Sequence, residues 1–512
     1  MTGPTTTAPA VTRATTGGRG PAGVAVIGGG IAGLAAARRL VQLAPDVPVT
    51  VFESSDRLGG KVLTERVDGY TVEGGPDSFL SVKPRGVGLC AELGLTDDLQ
   101  GTIEANRQTF VMRRGRLHPL PEGLTGLIPS RLGPIARSSL LSPLGKARLG
   151  LDFVLPARGG DADESLASFV RRRLGTEAYG RLIEPLMAGI YAGDGETLSL
   201  AATFPHLRAG ERQHGGLIRG VLANKRAAPV GKGGAAPILA DAATGVVPTP
   251  KPGFLTPTGG TGEIVAALET SLRAAGVQTV TGSGVQDIEA VPGGYRVTLV
   301  DGARSAFTAV IVAAPAHAAA GMLAGLDPDL AAPLAAIPHV SSVTVSLGYR
   351  TSDLGSGPVG YGYVVPRAEG RPVLACTWTS NKWAHRTPDG HVLLRAFIGR
   401  AGQPDPLTHD DDALVAIARE EFRVILGQRA EPTLRRVYRW PLGMPQYTMG
   451  HLDRLAAIEA RVEGHPGLAL CGNGYRGVGL PDCIASGERA AERVLAAVGA
   501  EIDALTHTRR GP

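Results

Sequence analysis

The chain has 512 residues, 43% hydrophobic and 19% charged, and 52 Lys and Arg against 47 Asp and Glu give a formal net charge of +5. That is the composition of a globular protein long enough for two or three domains, and so small a charge excess gives no argument for nucleic acid. Its four cysteines, Cys90, Cys376, Cys471 and Cys483, form no CxxC pair and its 11 histidines show no ligand spacing, so neither a disulfide framework nor a metal centre is expected.

Residues 1–20 hold Thr, Ala, Gly and Arg without an acid or an apolar core, which excludes a secretory signal and reads as a disordered tail. The run Val24 to Ile27 then reads as a buried strand, followed by a glycine turn and a helix from Leu34. Gly28, Gly29 and Gly30, with Ile31, Ala32 and Gly33, form a dinucleotide-binding fingerprint. Gly28 permits the tight turn, Gly30 lets backbone amides approach a pyrophosphate, and Gly33 lets the helix pack on the strand. The phosphate would rest on the unpaired N–H groups at the positive end of that helix. A second strand, Val49 to Glu53, ends in a carboxylate suited to an adenosine ribose and unsuited to a 2′-phosphate, which argues against NADP.

Residues 96–220 read mostly helical. Asp163 to Arg173 has acids at its start and bases at its end, as a helix dipole favours, with Arg171, Arg172 and Arg173 as a solvated face. Residues 221–253, rich in Ala, Gly, Pro and Lys, read as a flexible insertion. Gly259 to Gly262 opens an amphipathic helix, and strands at Val277 to Val285 and Tyr295 to Val300 return to the cofactor domain. The apolar run Ala309 to Leu326 contains Pro315 and His317 and divides into a strand and a helix; it is not a membrane span. Alternating runs at Ser342 to Leu347 and His391 to Phe397 predict an antiparallel sheet, Gly467 to Gly472 a buried strand, and Cys483 to Ala497 a final helix.

The block Glu53 to Lys61, with Arg57, Gly59 and Gly60, resembles the glycine-rich extension of amine-oxidase-like flavoproteins, which implies FAD in place of NAD. Four further blocks, Gly75 to Leu80, Leu182 to Asp194, Arg439 to Tyr447 and Gly477 to Ile484, are similar to the flavin-dependent porphyrinogen oxidases of haem synthesis. Their wording is closest to the bacterial coproporphyrinogen III oxidase branch. The fold class this implies is α/β plus α+β: a discontinuous, Rossmann-like FAD-binding domain (21–95, 254–326 and 446–505), a helical domain (96–220), the insertion 221–253, and an antiparallel substrate-binding domain (327–445).

The same resemblance implies residue roles. Glu53, Ser54, Arg57 and Gly60 would meet the adenosine and pyrophosphate, and Val285 the adenine through its backbone. Gly75, Pro76, Asp77 and Ser78 would pass beneath the isoalloxazine, with Lys61 at its electron-rich edge and Trp440 packed on the cofactor. The start of the last helix, Val478, Gly479 and Leu480, would face its pyrimidine side, and Gly472 is a further cofactor-binding position. On the substrate side Lys83 would anchor a propionate with Arg85 nearby, and Ile190 and Trp383 would line the macrocycle, whereas Trp378 reads as core. No side chain stands out as a catalytic acid or base.

The activity implied is FAD- and oxygen-dependent oxidation of coproporphyrinogen III to coproporphyrin III with peroxide release. Protoporphyrinogen IX oxidation is the nearest alternative. An amine oxidase, a desaturase or a non-catalytic FAD-binding porphyrin carrier stands further off. A cytoplasmic protein is expected, compatible with a peripheral membrane contact and a transient contact with a ferrochelatase.

Overall fold

The computed structural model describes residues 21–509 apart from 126–127, 130, 161, 228–252 and 356. In chain order, β1 (Val24–Ile27), α1 (Ile31–Leu43) and β2 (Val49–Phe52) are followed by the hairpin β3 (Thr64–Val67) and β4 (Tyr70–Glu73) and by α2 (Pro84–Glu92). Next come β5 (Thr109–Arg113), β6 (Arg116–Pro119), α3 (Leu166–Leu174) and α4 (Glu184–Tyr191). The chain returns through α5 (Gly262–Ala274), β7 (Gln278–Val280), β8 (Val285–Val291), β9 (Gly294–Leu299), β10 (Arg304–Phe307), β11 (Ala309–Val312) and α6 (Ala316–Leu323). It continues with β12 (His339–Arg350), β13 (Gly362–Val364), β14 (Val373–Trp378), β15 (His391–Ile398), α7 (Asp411–Leu426), β16 (Leu434–Pro445), β17 (Leu468–Leu470) and α8 (Leu480–Arg509).

Five strands form a parallel sheet in the order β7-β2-β1-β11-β17, with Val24 of β1 opposite Val49 on one side and Ala309 on the other. A central parallel strand is covered on both faces, which is why Val24 to Ile27 are all apolar and all buried. One face packs on α1, α5 and α8, the other on α6 and the helix His451–Glu463. The helices α1 and α8 touch closely because Gly487 faces Ala32: a Cβ there would lie 2.0 Å from the Ala32 carbonyl oxygen.

The second sheet has seven strands in the order β16-β12-β15-β14-β13-β5-β6, antiparallel except for β13 against β5. Its alternating residues Val343, Val345 and Leu347 pack under α7. On the opposite face Thr344, with Arg395 of β15, bonds the carbonyl of Gly74 in the loop after β4.

The hairpin β5–β6 corrects the helical reading of residues 96–220. Val111 lies in the core of the helical region and Met112 in the core of the sheet, so both faces of β5 are buried and its alternation is hidden. The reading of Arg173 as a solvated residue is also corrected. Its guanidinium is fully buried, donates from Nε to Asp152 Oδ1 at 2.7 Å and satisfies the carbonyls of Leu155, Pro156 and Gly215. The strand expected at Val277 to Val285 is two elements, β7 at the edge of the parallel sheet and β8 in a separate three-stranded sheet. Of the insertion 221–253, residues 221–227 end a helix (Leu217–Ala227) and 228–252 lie outside the described residues, as does the tail 1–20.

Candidate functional site: a dinucleotide cleft closed by a tethered loop

The N-terminus of α1 has no side-chain cap and no acid in its first turn. Its first N–H groups are therefore free for an anion. The glycines around it do different work. Gly28 (φ +111°) adopts a conformation that side chains rarely take, and a Cβ on Gly33 would stand 1.9 Å from the Gly28 carbonyl oxygen. Before Gly30, by contrast, no protein atom lies within 4 Å of an added Cβ, which leaves open space at the helix end. The Glu53 carboxylate accepts from the Gly29 N–H at 2.7 Å and from Ser55 N at 2.8 Å, with Ser54 Oγ at 3.3 Å, so it is fixed beside the turn. Arg57 folds back on its own loop and donates to the carbonyls of Gly60 (2.7 Å) and Leu58 (3.2 Å). The second glycine loop thereby closes on the first, with Gly59 N bonded to Gly29 O at 2.8 Å.

Beyond it, Lys61 carries a half-buried ammonium with no hydrogen-bond or ion-pair partner among the described residues. Burial lowers its pKa. Its carbonyl would be 1.8 Å from a Cβ on Gly75, so loop 74–78 lies against it backbone to backbone. That loop is tied at each residue. Glu73 accepts from Thr64 Oγ1 (2.7 Å), Thr261 N (2.8 Å) and Thr261 Oγ1 (2.9 Å), and burial raises its pKa. Trp440 Nε1 donates to Gly74 O at 3.0 Å. The Asp77 carboxylate accepts from Lys382 Nζ (2.9 Å), Trp383 Nε1 (3.2 Å) and Ser78 Oγ (2.7 Å). Burial works to raise the Asp77 pKa, but the Lys382 and Arg395 charges hold it well below the usual carboxylate range.

Other expected residues fall around this cleft. Gly472 (φ +122°) donates to Ser486 Oγ at 3.2 Å, and Val478, Gly479 and Leu480 lead into α8, where Asp482 Oδ2 accepts from Gly479 N at 3.2 Å. Val285 is buried at the start of β8 opposite Leu299. His317 and His339 stand edge to face, 4.8 Å apart, and burial, with Lys61 nearby, pushes His339 down to about 4.

The substrate-side expectations divide. Lys83 Nζ is bonded to both oxygens of Asp482 (2.6 and 2.5 Å), and Arg85 Nε donates to Glu488 at 2.6 Å and Nη1 to Glu92 at 2.8 Å. In this structure the expected anchor Lys83 is paired with Asp482, and Arg85 beside it with Glu488 and Glu92. Trp383 is fully buried and turned to Asp77. Ile190 remains exposed on α4. Near the end of that helix, Val364, Phe397 and Met444 form a partly buried apolar group against Ala192, Leu374 and Ala375. Sequence reading missed Arg395, Thr344, Thr261 and Lys382. Only Arg395 left a signal: it is a charge inside the strand Val392 to Ile398, whose other residues are apolar.

No group of three or more His, Cys, Asp or Glu among the described residues is placed to hold a metal, and no helix among them is long and apolar enough to cross a membrane.

An uncapped helix N-terminus before open space, a carboxylate at the end of β2 and an unpartnered ammonium fit a flavin dinucleotide. The chain belongs to the flavin-containing amine oxidoreductases, whose family model matches residues 31–495. It is an FAD-dependent oxidoreductase of that fold. A coproporphyrinogen III oxidase of Bacillus subtilis is 36% identical over 92% of this chain and 97% of its own. The chloroplastic protoporphyrinogen oxidase 1 of Arabidopsis thaliana is 31% identical over 90% of this chain and 85% of its own. A crystal structure from Exiguobacterium sp. 255-15, provisionally named a protoporphyrinogen oxidase, is 32% identical and superposes with a TM-score of 0.78 over 93% of this chain and 99% of its own.

Proposed function

We propose that this protein oxidises coproporphyrinogen III to coproporphyrin III, with dioxygen taking the electrons as hydrogen peroxide. The observation that carries the reading is the full-length likeness to the Bacillus subtilis coproporphyrinogen III oxidase, at 36% identity against 31% for the plant protoporphyrinogen oxidase.

When bound, FAD supplies a hydride acceptor, and removal of six electrons from the macrocycle takes about three such transfers. The protein's own contribution is binding and orientation. The α1 N-terminus, Gly30, Glu53 and Gly60 would hold the dinucleotide, and the Lys61 ammonium would favour negative charge on it. Gly75, Pro76, Asp77 and Ser78 would form the surface under the ring system, while Val364, Phe397 and Met444 would offer an apolar wall for a flat macrocycle. No side chain is required as a general base: the pyrrole N–H gives up its proton as the adjacent bridge is oxidised, and the site acts by holding one bridge in place and excluding water.

The test is aerobic turnover of purified protein on coproporphyrinogen III and protoporphyrinogen IX in parallel, followed by porphyrin fluorescence. A kcat/KM at least about tenfold higher for the four-propionate substrate supports the proposal. Preference for protoporphyrinogen moves the enzyme to the plant-like specificity, and no turnover of either overturns the reading.

A further inference from the structure

In the loop 74–78 the carbonyl groups and the amide groups are treated differently. The Gly74 carbonyl accepts three donors, one from each of three strands of the seven-stranded sheet: Thr344 Oγ1 of β12 at 2.9 Å, Arg395 Nη2 of β15 at 3.1 Å and Trp440 Nε1 of β16 at 3.0 Å. Arg395 Nη2 also donates to the Gly75 carbonyl, and Thr261 Oγ1 to that of Pro76 at 3.0 Å. The N–H groups of Gly75, Asp77 and Ser78 have no partner among the described residues. The loop is thus held by its acceptors and keeps its donors free. Arg395 is 3% exposed and makes no ion pair among the described residues; the nearby Asp77 carboxylate is already bonded to Lys382 and Trp383.

We propose that Arg395 is a positioning residue for the flavin, which draws the Gly74 and Gly75 carbonyls onto the substrate sheet, leaves the loop a donor-only edge, and sets a buried positive charge behind it. This rests on the reading of residues 75–78 as the surface under the ring system. A donor-only edge backed by a buried cation favours the electron-rich reduced flavin over the oxidised one. It also links the two domains, since strands of one sheet set the backbone of the other's cofactor loop.

The experiment uses the FAD-loaded full chain and reads the midpoint potential of the bound flavin against a reference dye, with kcat and KM for coproporphyrinogen III. Arg395→Met should retain FAD and shift its potential downward, so that at a dye potential where the wild-type flavin is half reduced the oxidised-to-reduced ratio rises about tenfold or more. Arg395→Lys keeps the charge but is shorter and lacks the planar guanidinium whose Nη2 reaches both carbonyls. Its potential should stay near wild type while kcat falls about tenfold at unchanged KM. Thr344→Val removes one donor to Gly74 and no charge, and should leave the potential in place.

An unshifted potential in Arg395→Met, or an equal shift in Thr344→Val, overturns the proposal. If the methionine variant does not fold, Arg395→Lys decides: wild-type kcat there refutes the positioning role. Wild-type protein that takes up no flavin overturns the reading of the site itself, whereas flavin-loaded wild type with unmoved variants overturns this inference alone.

Discussion

Gly30→Ala separates the cofactor from the fold. The added methyl meets no protein atom within 4 Å, and the backbone at φ −70°, ψ 172° is one that alanine adopts freely. The apoprotein should therefore keep its stability or gain about 0.4–1 kcal/mol through the unfolded chain. The same methyl enters the space before the α1 N-terminus. Backbone N–H groups approach phosphate oxygens to about 2.8 Å, whereas a methyl carbon requires about 3.5 Å. A pyrophosphate displaced from two charge-assisted hydrogen bonds, each about 1.5–3 kcal/mol, loses about 3–6 kcal/mol, or roughly a hundredfold to ten-thousandfold in FAD affinity.

Gly33→Ala is the counterpart, because its Cβ would stand 1.9 Å from the Gly28 carbonyl oxygen and must disturb the fold with or without cofactor. The assay is titration of FAD into stripped apoprotein by fluorescence quenching, with urea midpoints of each apoprotein. Wild-type FAD affinity in Gly30→Ala, or an apoprotein as damaged as that of Gly33→Ala, would refute the reasoning.

Three further outcomes are expected. Lys61→Met should raise the melting temperature of the apoprotein at neutral pH, because burial disfavours an ammonium with no partner, and should weaken FAD binding at least about tenfold in a titration. Arg173→Met should lower unfolding free energy by about 3–5 kcal/mol, since it strands the buried Asp152, and adding Asp152→Asn should recover part of the loss in urea melts. His206 and His339 are both pushed down to about 4 by burial, so the unfolded chain binds more protons than the native one between about pH 6.5 and 4. Stability should be full above pH 6.5 and fall as pH drops through that window, and a His206→Gln, His339→Gln double variant should flatten the slope measured by denaturant midpoints.

The dinucleotide cleft was legible in the sequence because its constraints are local. Gly28 is marked by its positive φ, Gly33 by its close packing on the Gly28 carbonyl and Gly30 by the open space before the helix, all within one strand–turn–helix unit, and Glu53 ends the strand beside it. The parallel order of the sheet follows from the same unit, repeated with Ala309 to Val312 and Leu468 to Leu470. What was hidden depends on partners far along the chain. Arg173 is buried because Asp152 and the carbonyl of Gly215 meet it, and neither is marked by spacing. Lys83 is taken by Asp482, which a reading of its own turn beside Pro84 has no means to show. Strand β5 escaped because it lies between two cores and so lost its alternation. Arg395 and Thr344 stand on the seven-stranded sheet and bond the Gly74 carbonyl 321 and 270 residues away, a relation that only the packed sheet reveals.

The most direct test of the central claim is the absorption of the oxidised, FAD-loaded protein under anaerobic conditions on addition of coproporphyrinogen III. The account predicts that the yellow flavin band bleaches as porphyrin bands appear, and that admitted air restores it with formation of peroxide. A flavin band that stays unchanged while the substrate is present and bound would contradict it.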